Sequence, residues 1–222
     1  MDITTTTSGA DMTSKSTQET TASIVSITLE VPDPVAAEAF YTRAFGLGAG
    51  LRVRASDAPT TGFRGFTLSL VVSQPANVDA LVGAAVDAGA TVLKPVAKSF
   101  WGYGGTVQAP DGAIWKVATS SKKNTGPASR EVNEMVLLLA VGDMPSTKRF
   151  YVERGQRVTR SFGRKYTEFA AEPGHWRLAL YGRRGLARDA GVAPEGTGSH
   201  RIVIGNGAGS FTDPDGFAWE NA

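Results

Sequence analysis

Residues 27–33 read Ile27-Thr-Leu-Glu-Val-Pro-Asp33, and residues 137–143 read Leu137-Leu-Leu-Ala-Val-Gly-Asp143. Each stretch is followed by an aromatic pair, Phe40-Tyr41 or Phe150-Tyr151, and then by Gly46 or Gly155. Asp33 and Asp143, Phe40 and Phe150, and Tyr41 and Tyr151 all lie 110 positions apart, so nothing is inserted between the paired features. A second matching pair is Ala109-Pro-Asp-Gly-Ala-Ile-Trp-Lys116 and Asp213-Pro-Asp-Gly-Phe-Ala-Trp-Glu220, at an offset of 104. Self-similarity at such offsets marks a repeated supersecondary unit, and the chain reads as two unequal copies of one.

Between the two motifs, Phe66-Thr-Leu-Ser-Leu70 answers to Ile202-Val-Ile at an offset of 136. The offset rises from 110 to 136 and then falls to 104, so copy two gains 26 residues before this strand and loses 32 after it. The gain holds two strand-like runs, Tyr166 to Ala171 and Trp176 to Tyr181. The loss corresponds to a helix, Ala76 to Ala88, and a strand, Thr91 to Val96, in copy one. Each copy lacks what the other has.

In copy one Val25, Ile27, Leu29 and Val31 alternate with Ser26, Thr28 and Glu30, the period of a strand with one face in a core. Asp33 caps a helix that has Pro34 at its first position and carries Ala36, Phe40 and Ala44 on one side. A second helix shows Val78, Leu81, Val82 and Ala85 at i, i+3, i+4 and i+7 and stops at Gly89. Pro-Asp-Gly at 110–112 and at 214–216 is a tight turn, because proline presets φ and glycine accepts a positive one.

The expected organisation is a Ser/Thr-rich disordered tail over 1–22, a first repeat over 23–119, a linker over 120–133 rich in Ser, Lys, Asn, Gly and Pro, and a second repeat over 134–222. The chain has 222 residues, 41% hydrophobic and 20% charged, an ordinary globular composition. Its 23 lysines and arginines are scattered among 21 acidic residues, which speaks against nucleic acid and anionic membranes as partners. The sequence contains no cysteine, so disulfides, thiolate zinc sites and a cysteine nucleophile are excluded. The tail has neither a basic start nor an apolar stretch, so the expected location is the cytoplasm and the expected partner a small molecule, with the protein a monomer or a homodimer.

A strand, an Asp-capped helix containing Phe-Tyr and ending near glycine, and further strands closed by Asp-Pro-Asp-Gly-x-x-Trp-Glu resemble the glyoxalase/bleomycin resistance/dioxygenase group, the vicinal oxygen chelate superfamily. The resemblance covers about 23–120 and 134–222. It implies an α+β fold of βαβββ-type repeats, here two incomplete ones, whose curled mixed sheets form a cup with helices packed outside. It implies nothing so specific about activity, since the superfamily spans metal-dependent isomerases, dioxygenases and metal-free proteins that sequester a drug.

Carried over residue by residue, the superfamily's metal-ligand positions fall near Ser26 and Val136 on the first strands, at Gly65 and His200 where the second units open, near Leu180 and Tyr181 on a fourth strand, and at Lys116 and Glu220 in the closing motifs. Of these, His200 and Glu220 suit a divalent metal. A metal needs three or more protein ligands to be held well, so the expected cup is metal-free; a divalent ion, where one binds, falls to His200 and Glu220.

Other residues are read from their own settings. Lys116 alternates with Trp115 and points into the cup if Trp115 packs under a helix; there it meets an anionic ligand, or Glu30, or acts as a base or amine nucleophile, against the simpler reading of a lysine reaching to water. Phe100-Trp101-Gly-Tyr103-Gly-Gly lines a pocket with Trp101 and Tyr103 while its glycines admit a ligand, or else forms a bulge with core aromatics. Arg177 and Glu168 form a cross-strand charge pair or contact the ligand, and His175 follows Pro-Gly in an exposed turn.

Three functions are open. One is a metal-free protein that binds or sequesters a small organic molecule. Another is a lyase or isomerase acting on a small carbonyl compound, with Glu220 as base or metal ligand and Lys116 or Tyr181 assisting. The third is a partner-binding scaffold.

Overall fold

The computed structural model describes residues 23–46, 48, 50–100 and 102–222. Copy one runs β1 (Ile24–Val31), α1 (Pro34–Phe45), β2 (Leu51–Ala55), β3 (Thr60–Gly62), β4 (Phe66–Val71), α2 (Pro75–Asp87), β5 (Thr91–Ser99), β6 (Gly102–Gln108) and β7 (Ile114–Thr119). Copy two runs β8 (Glu134–Val141), α3 (Met144–Val152), β9 (Val158–Phe162), β10 (Tyr166–Phe169), β11 (Arg177–Gly182), α4 (Arg183–Ala190), β12 (Gly196–Gly198), β13 (Ile202–Asn206), β14 (Phe211–Thr212) and β15 (Ala218–Asn221). No helix among the described residues is long and apolar enough to cross a membrane. The α+β fold of paired repeats is as the sequence implied.

Local chemistry behaves as expected with two corrections. Asp33 accepts a hydrogen bond from the Ala36 amide at 3.0 Å, Pro34 opens α1, and Gly46 ends it at φ 62 in the left-handed region that glycine tolerates. The buried stripe of α1 is Ala37, Phe40, Tyr41, Ala44 and Phe45, whereas Ala36 lies in the exposed first turn. On β1 the alternation breaks at Val25, which is 41% exposed, because the pairing with β13 shifts register between Ile24 and Ser26. Such a bulge passes the core position to Ile24.

Neither copy builds a sheet from its own strands alone. Among the described residues, a five-stranded sheet has the order β14-β15-β13-β1-β2, an eight-stranded sheet the order β5-β6-β7-β4-β8-β11-β10-β9, and β12 pairs with β3 in a small two-stranded sheet. The first strand of copy one thus pairs antiparallel with β13 of copy two, and the first strand of copy two pairs antiparallel with β4 of copy one. The eight-stranded sheet is a complete cup, four strands from each copy. The five-stranded sheet is the same design with its outer strands missing or shortened. This is how the complementary losses resolve: the surviving outer strands all fall on one sheet.

The apolar faces of both sheets share one core with the helices. Ile27, Leu29, Ile204 and Trp219 from one sheet and Leu68, Trp115, Leu137 and Leu178 from the other belong to a single buried cluster. Helix α3 touches both, since the Tyr151 ring lies 5.8 Å from Phe169 and 5.5 Å from Trp219. The segment between the copies is pinned to α2. The Gln74 carbonyl oxygen accepts from the Thr125 and Gly126 amides, its amide donates to the Pro127 carbonyl at 2.8 Å, and Asn77 accepts from the Ser129 amide at 2.9 Å.

Candidate functional site

The face of a strand is set by parity, so the core residues assign the concave one. Trp115 and Val117 on β7 are fully buried against the helices, which turns Lys116 into the cup of the eight-stranded sheet. Its cross-strand neighbours Ser69 on β4 and Thr106 on β6 face the same way, as does Val136 opposite Ser69 on β8.

Half of this cup is already filled. Helix α4 lies in it, with Leu186, Ala187 and Ala190 buried against Ile114, Ala140 and Phe63 and flanked by Leu138 and Tyr181. Gly185 is what allows so close an approach, because a Cβ there would collide with the Tyr181 ring. Three bonds tie the helix down at its ends. Arg183 donates to the Phe63 and Pro194 carbonyls at 2.8 Å each, and the Lys94 ammonium donates to the Arg188 carbonyl at 2.7 Å, at the negative end of the helix dipole. The Lys116 ammonium meets the Asp189 carboxylate at 2.6 Å. Both partners are about a third exposed, 34% and 38%, so this pair stabilises the fold by about 1 kcal/mol at most.

Beyond the end of α4 the cup stays open as a groove of about 310 Å³ over β5, β6 and β7. Lys94, Lys98, Thr106, Lys116, Ala118 and Asp189 line it, with backbone of Gly102, Gly104 and Gly105 as its floor. Of the residues singled out in the sequence, Lys116 and the glycines belong here. Tyr103 edges the groove, but its neighbour across β6–β7 is Thr119 on the helix side and its hydroxyl donates to Asp79 of α2 at 2.8 Å. Trp101 lies outside the described residues. Lys94, Lys98 and Asp189 were not singled out; nothing in the local pattern of β5 or α4 sets them apart from solvated charges.

The remaining site residues are dispersed. Tyr181 packs beneath α4, 5.8 Å from Tyr166. Arg177 bridges Glu168 at 3.3 Å and Glu134 at 2.9 Å, and Tyr166 donates to Glu168, which completes the cross-strand charge pair expected of these residues. On the other sheet, Glu30 does not meet Lys116: Arg54 takes it at 2.8 Å and reaches Glu220 at 3.3 Å. Arg54 is held above its ordinary pKa by that hydrogen bond to Glu30.

His200 has a structural post. Its Nδ1 faces the Arg64 carbonyl, its Nε2 lies 3.2 Å from the Asp215 carbonyl, and its ring stacks on buried Phe217 with centroids 4.0 Å apart. Both ring nitrogens point at backbone carbonyls, to one of which the ring N–H donates, and Glu220 is engaged with arginine. Leu180 is fully buried, Val136 and Gly65 offer no side-chain donor, Ser26 is buried on β1, and the closing position of the complete cup is a lysine. The residues present do not fit a divalent metal, and among the described residues no three His, Cys, Asp or Glu side chains group to hold one.

The repeated motifs serve the fold. Tyr41 donates to Asp111 in one Pro-Asp-Gly turn, and Tyr151 donates to Asp213 before the other, at 2.6 Å. Burial pushes both phenols well above their ordinary pKa, with the adjacent carboxylates adding to it. A raised phenol pKa favours the neutral form in the fold, so this contribution is complete below the free tyrosine value of about 10 and is lost as the pH rises past it. In a titration followed at 295 nm, Tyr41 and Tyr151 are therefore expected to ionise only as the chain unfolds. The urea midpoint should fall above about pH 10, and it should fall less in Tyr151→Phe than in the wild type.

No protein-family model and no curated protein matches the sequence. Solved structures do match the fold. Glyoxalase I from Zea mays superposes with a TM-score of 0.58 at 16% identity, over 89% of this chain and 90% of that one. A mutant of the same maize enzyme gives 0.60 at 15%, over 89% and 92%. A putative dioxygenase from Bacillus subtilis gives 0.54 at 13%, over 84% and 70%. At such identities the likeness carries the architecture and no activity. With two linked copies, strands exchanged between them and one complete cup, the chain has the fold of glyoxalase I.

Proposed function

We propose that this protein binds a small organic molecule in the groove over β5, β6 and β7, and that it does so without a divalent metal. The observation that supports this most is Lys116. It occupies the closing-strand position of the complete cup, where a chelating enzyme of this fold has a carboxylate, and its ammonium would repel a cation. Of the two residues able to hold a metal, Glu220 stands on the incomplete sheet and His200 in the loop before β13, and both are engaged elsewhere. The groove itself combines a backbone floor opened by glycines with charged side chains at its rim, the mix of shape and few polar groups typical of a small-ligand site.

Elemental analysis of the purified protein, with calorimetric titration of Ni²⁺, Zn²⁺ and Mn²⁺, tests the metal-free part; no stoichiometric binding is expected. Tight binding of one ion per chain that is abolished by His200→Ala or Glu220→Ala would overturn it in favour of chelate chemistry at those residues. A screen of small organic molecules, read by chemical shifts of the Gly102, Gly104 and Gly105 amides, tests the groove. Compounds that move those amides are expected; a library that leaves all three unmoved removes the groove as the site.

A further inference from the structure

The lining of the groove specifies what it takes. Lys94 and Lys116, which flank Thr106 on the concave face, stand there with one carboxylate, Asp189, among the residues that form it. Lys116 is the inner of the two, and its partner is supplied by the last turn of α4, not by the sheet on which it stands. An aspartate in a helix C-terminal turn sits against the negative end of the dipole, which is the unfavourable end for it. Its presence there is explained by the ammonium it neutralises. Lys94 is committed to the Arg188 carbonyl of the same turn, so both contacts of the groove with α4 are lysine contacts.

We propose that the groove binds a small molecule carrying a carboxylate or phosphate, whose anionic group takes the place of the Asp189 carboxylate on Lys116. This rests on the reading of the groove as the ligand site and adds the ligand's class and its mode of entry. Asp189 holds the place of the ligand's anion in the free protein, so that Lys116 is never left unpaired. Exchange costs little, because a pair a third exposed is weak and the released carboxylate points to water at the helix end. A carboxylate and a phosphate satisfy the same geometry, and the two sources separate experimentally: a phosphate brings more charge and engages Lys94 as well as Lys116.

The test uses the full chain and three probes of one shape, benzoate, phenyl phosphate and neutral benzamide, titrated by calorimetry and by amide shifts at Gly102, Gly104 and Gly105. Benzoate or phenyl phosphate should bind and benzamide should not, with affinity falling as salt is raised. Asp189→Asn removes the competing carboxylate and should tighten anion binding roughly three- to tenfold. Lys116→Met should weaken it by more than about tenfold. Lys94→Ala should weaken phenyl phosphate more than benzoate if phosphate is the natural group, and both alike if carboxylate is.

A merely structural ion pair gives a different pattern, with both substitutions lowering stability and neither changing affinity in opposite directions. If benzamide binds as well as benzoate and Lys116→Met changes nothing, the anion proposal fails while the groove stands as a site. If none of the three probes shifts the glycine amides, even in Asp189→Asn, the proposal and the reading beneath it both fall.

Discussion

Trp176→Ala is expected to lower stability by about 3–5 kcal/mol, the range for deleting a fully buried aromatic side chain. Trp176 is 1% exposed and sits where the two sheets come together. Its indole N–H donates to the Gly50 carbonyl at 2.9 Å, its ring centroid lies 6.4 Å from that of Trp115, and its backbone bridges to Ile24 of β1. For a chain of this size the loss corresponds to a fall in Tm of about 10 °C. Trp176→Phe retains most of the apolar burial and forfeits the indole N–H. The Gly50 carbonyl keeps its bond from the Ile27 amide, so that variant should cost about 1 kcal/mol. Urea unfolding followed by circular dichroism reads both. A cost below about 1 kcal/mol for the alanine variant would mean that the sheets are held together elsewhere.

The second large effect is local. Leu186→Asp places a carboxylate at a fully buried position of α4, among Phe63, Ile114 and Ala140, where an unpaired charge costs several kcal/mol. The chain can escape that cost by releasing α4 instead of unfolding. The helix has eight residues and is held by one small apolar face and a few end contacts, and a segment of that length does not stay helical alone. Hydrogen exchange over 183–190 should accelerate by about a hundredfold or more, while β8 and β11, paired with each other by backbone bonds, keep their protection. Gly185→Leu should do the same without adding charge, by colliding with Tyr181. A global loss of protection in both variants would show α4 to be part of the cooperative core.

Much of the fold was legible because repeats leave matching residues at fixed offsets. The Asp33 cap, the α2 stripe and the Pro-Asp-Gly turns each rest on local chemistry that sequence spacing displays. The exchange of first strands between the copies leaves no such trace, since β1 looks the same whether it pairs with β4 or with β13. Helix α4 was missed for a related reason. Arg183 to Ala190 is short, has one large apolar residue, and approaches its neighbours through Gly185, Ala187 and Ala190, whose contribution lies in what they lack.

Within the site, Trp115 packs in the core and Lys116 stands on the opposite face of β7, while its partner, Asp189, comes from an element 73 residues away. Glu30 shared the expected face, yet belongs to the other sheet, where Arg54 claims it. Tyr103 was chosen for its aromatic character, and the pleat that turns Gly104 toward the groove turns Tyr103 away. His200 matched a chelating position by alignment, although in the fold it stacks on Phe217 and lies against two backbone carbonyls.

The exchange of strands also has a consequence for how the molecule comes into being. β1 leaves the ribosome long before its antiparallel partner β13: Ile27 waits for Ile204. Until then a strand rich in isoleucine, leucine and valine has its only sheet neighbour in β2, and the edge it will offer to β13 stays open to other chains. Contacts this distant in sequence also form slowly. Production of this protein should therefore be sensitive to nascent-chain concentration and to chaperone supply, and loss of β13 should be felt directly at β1.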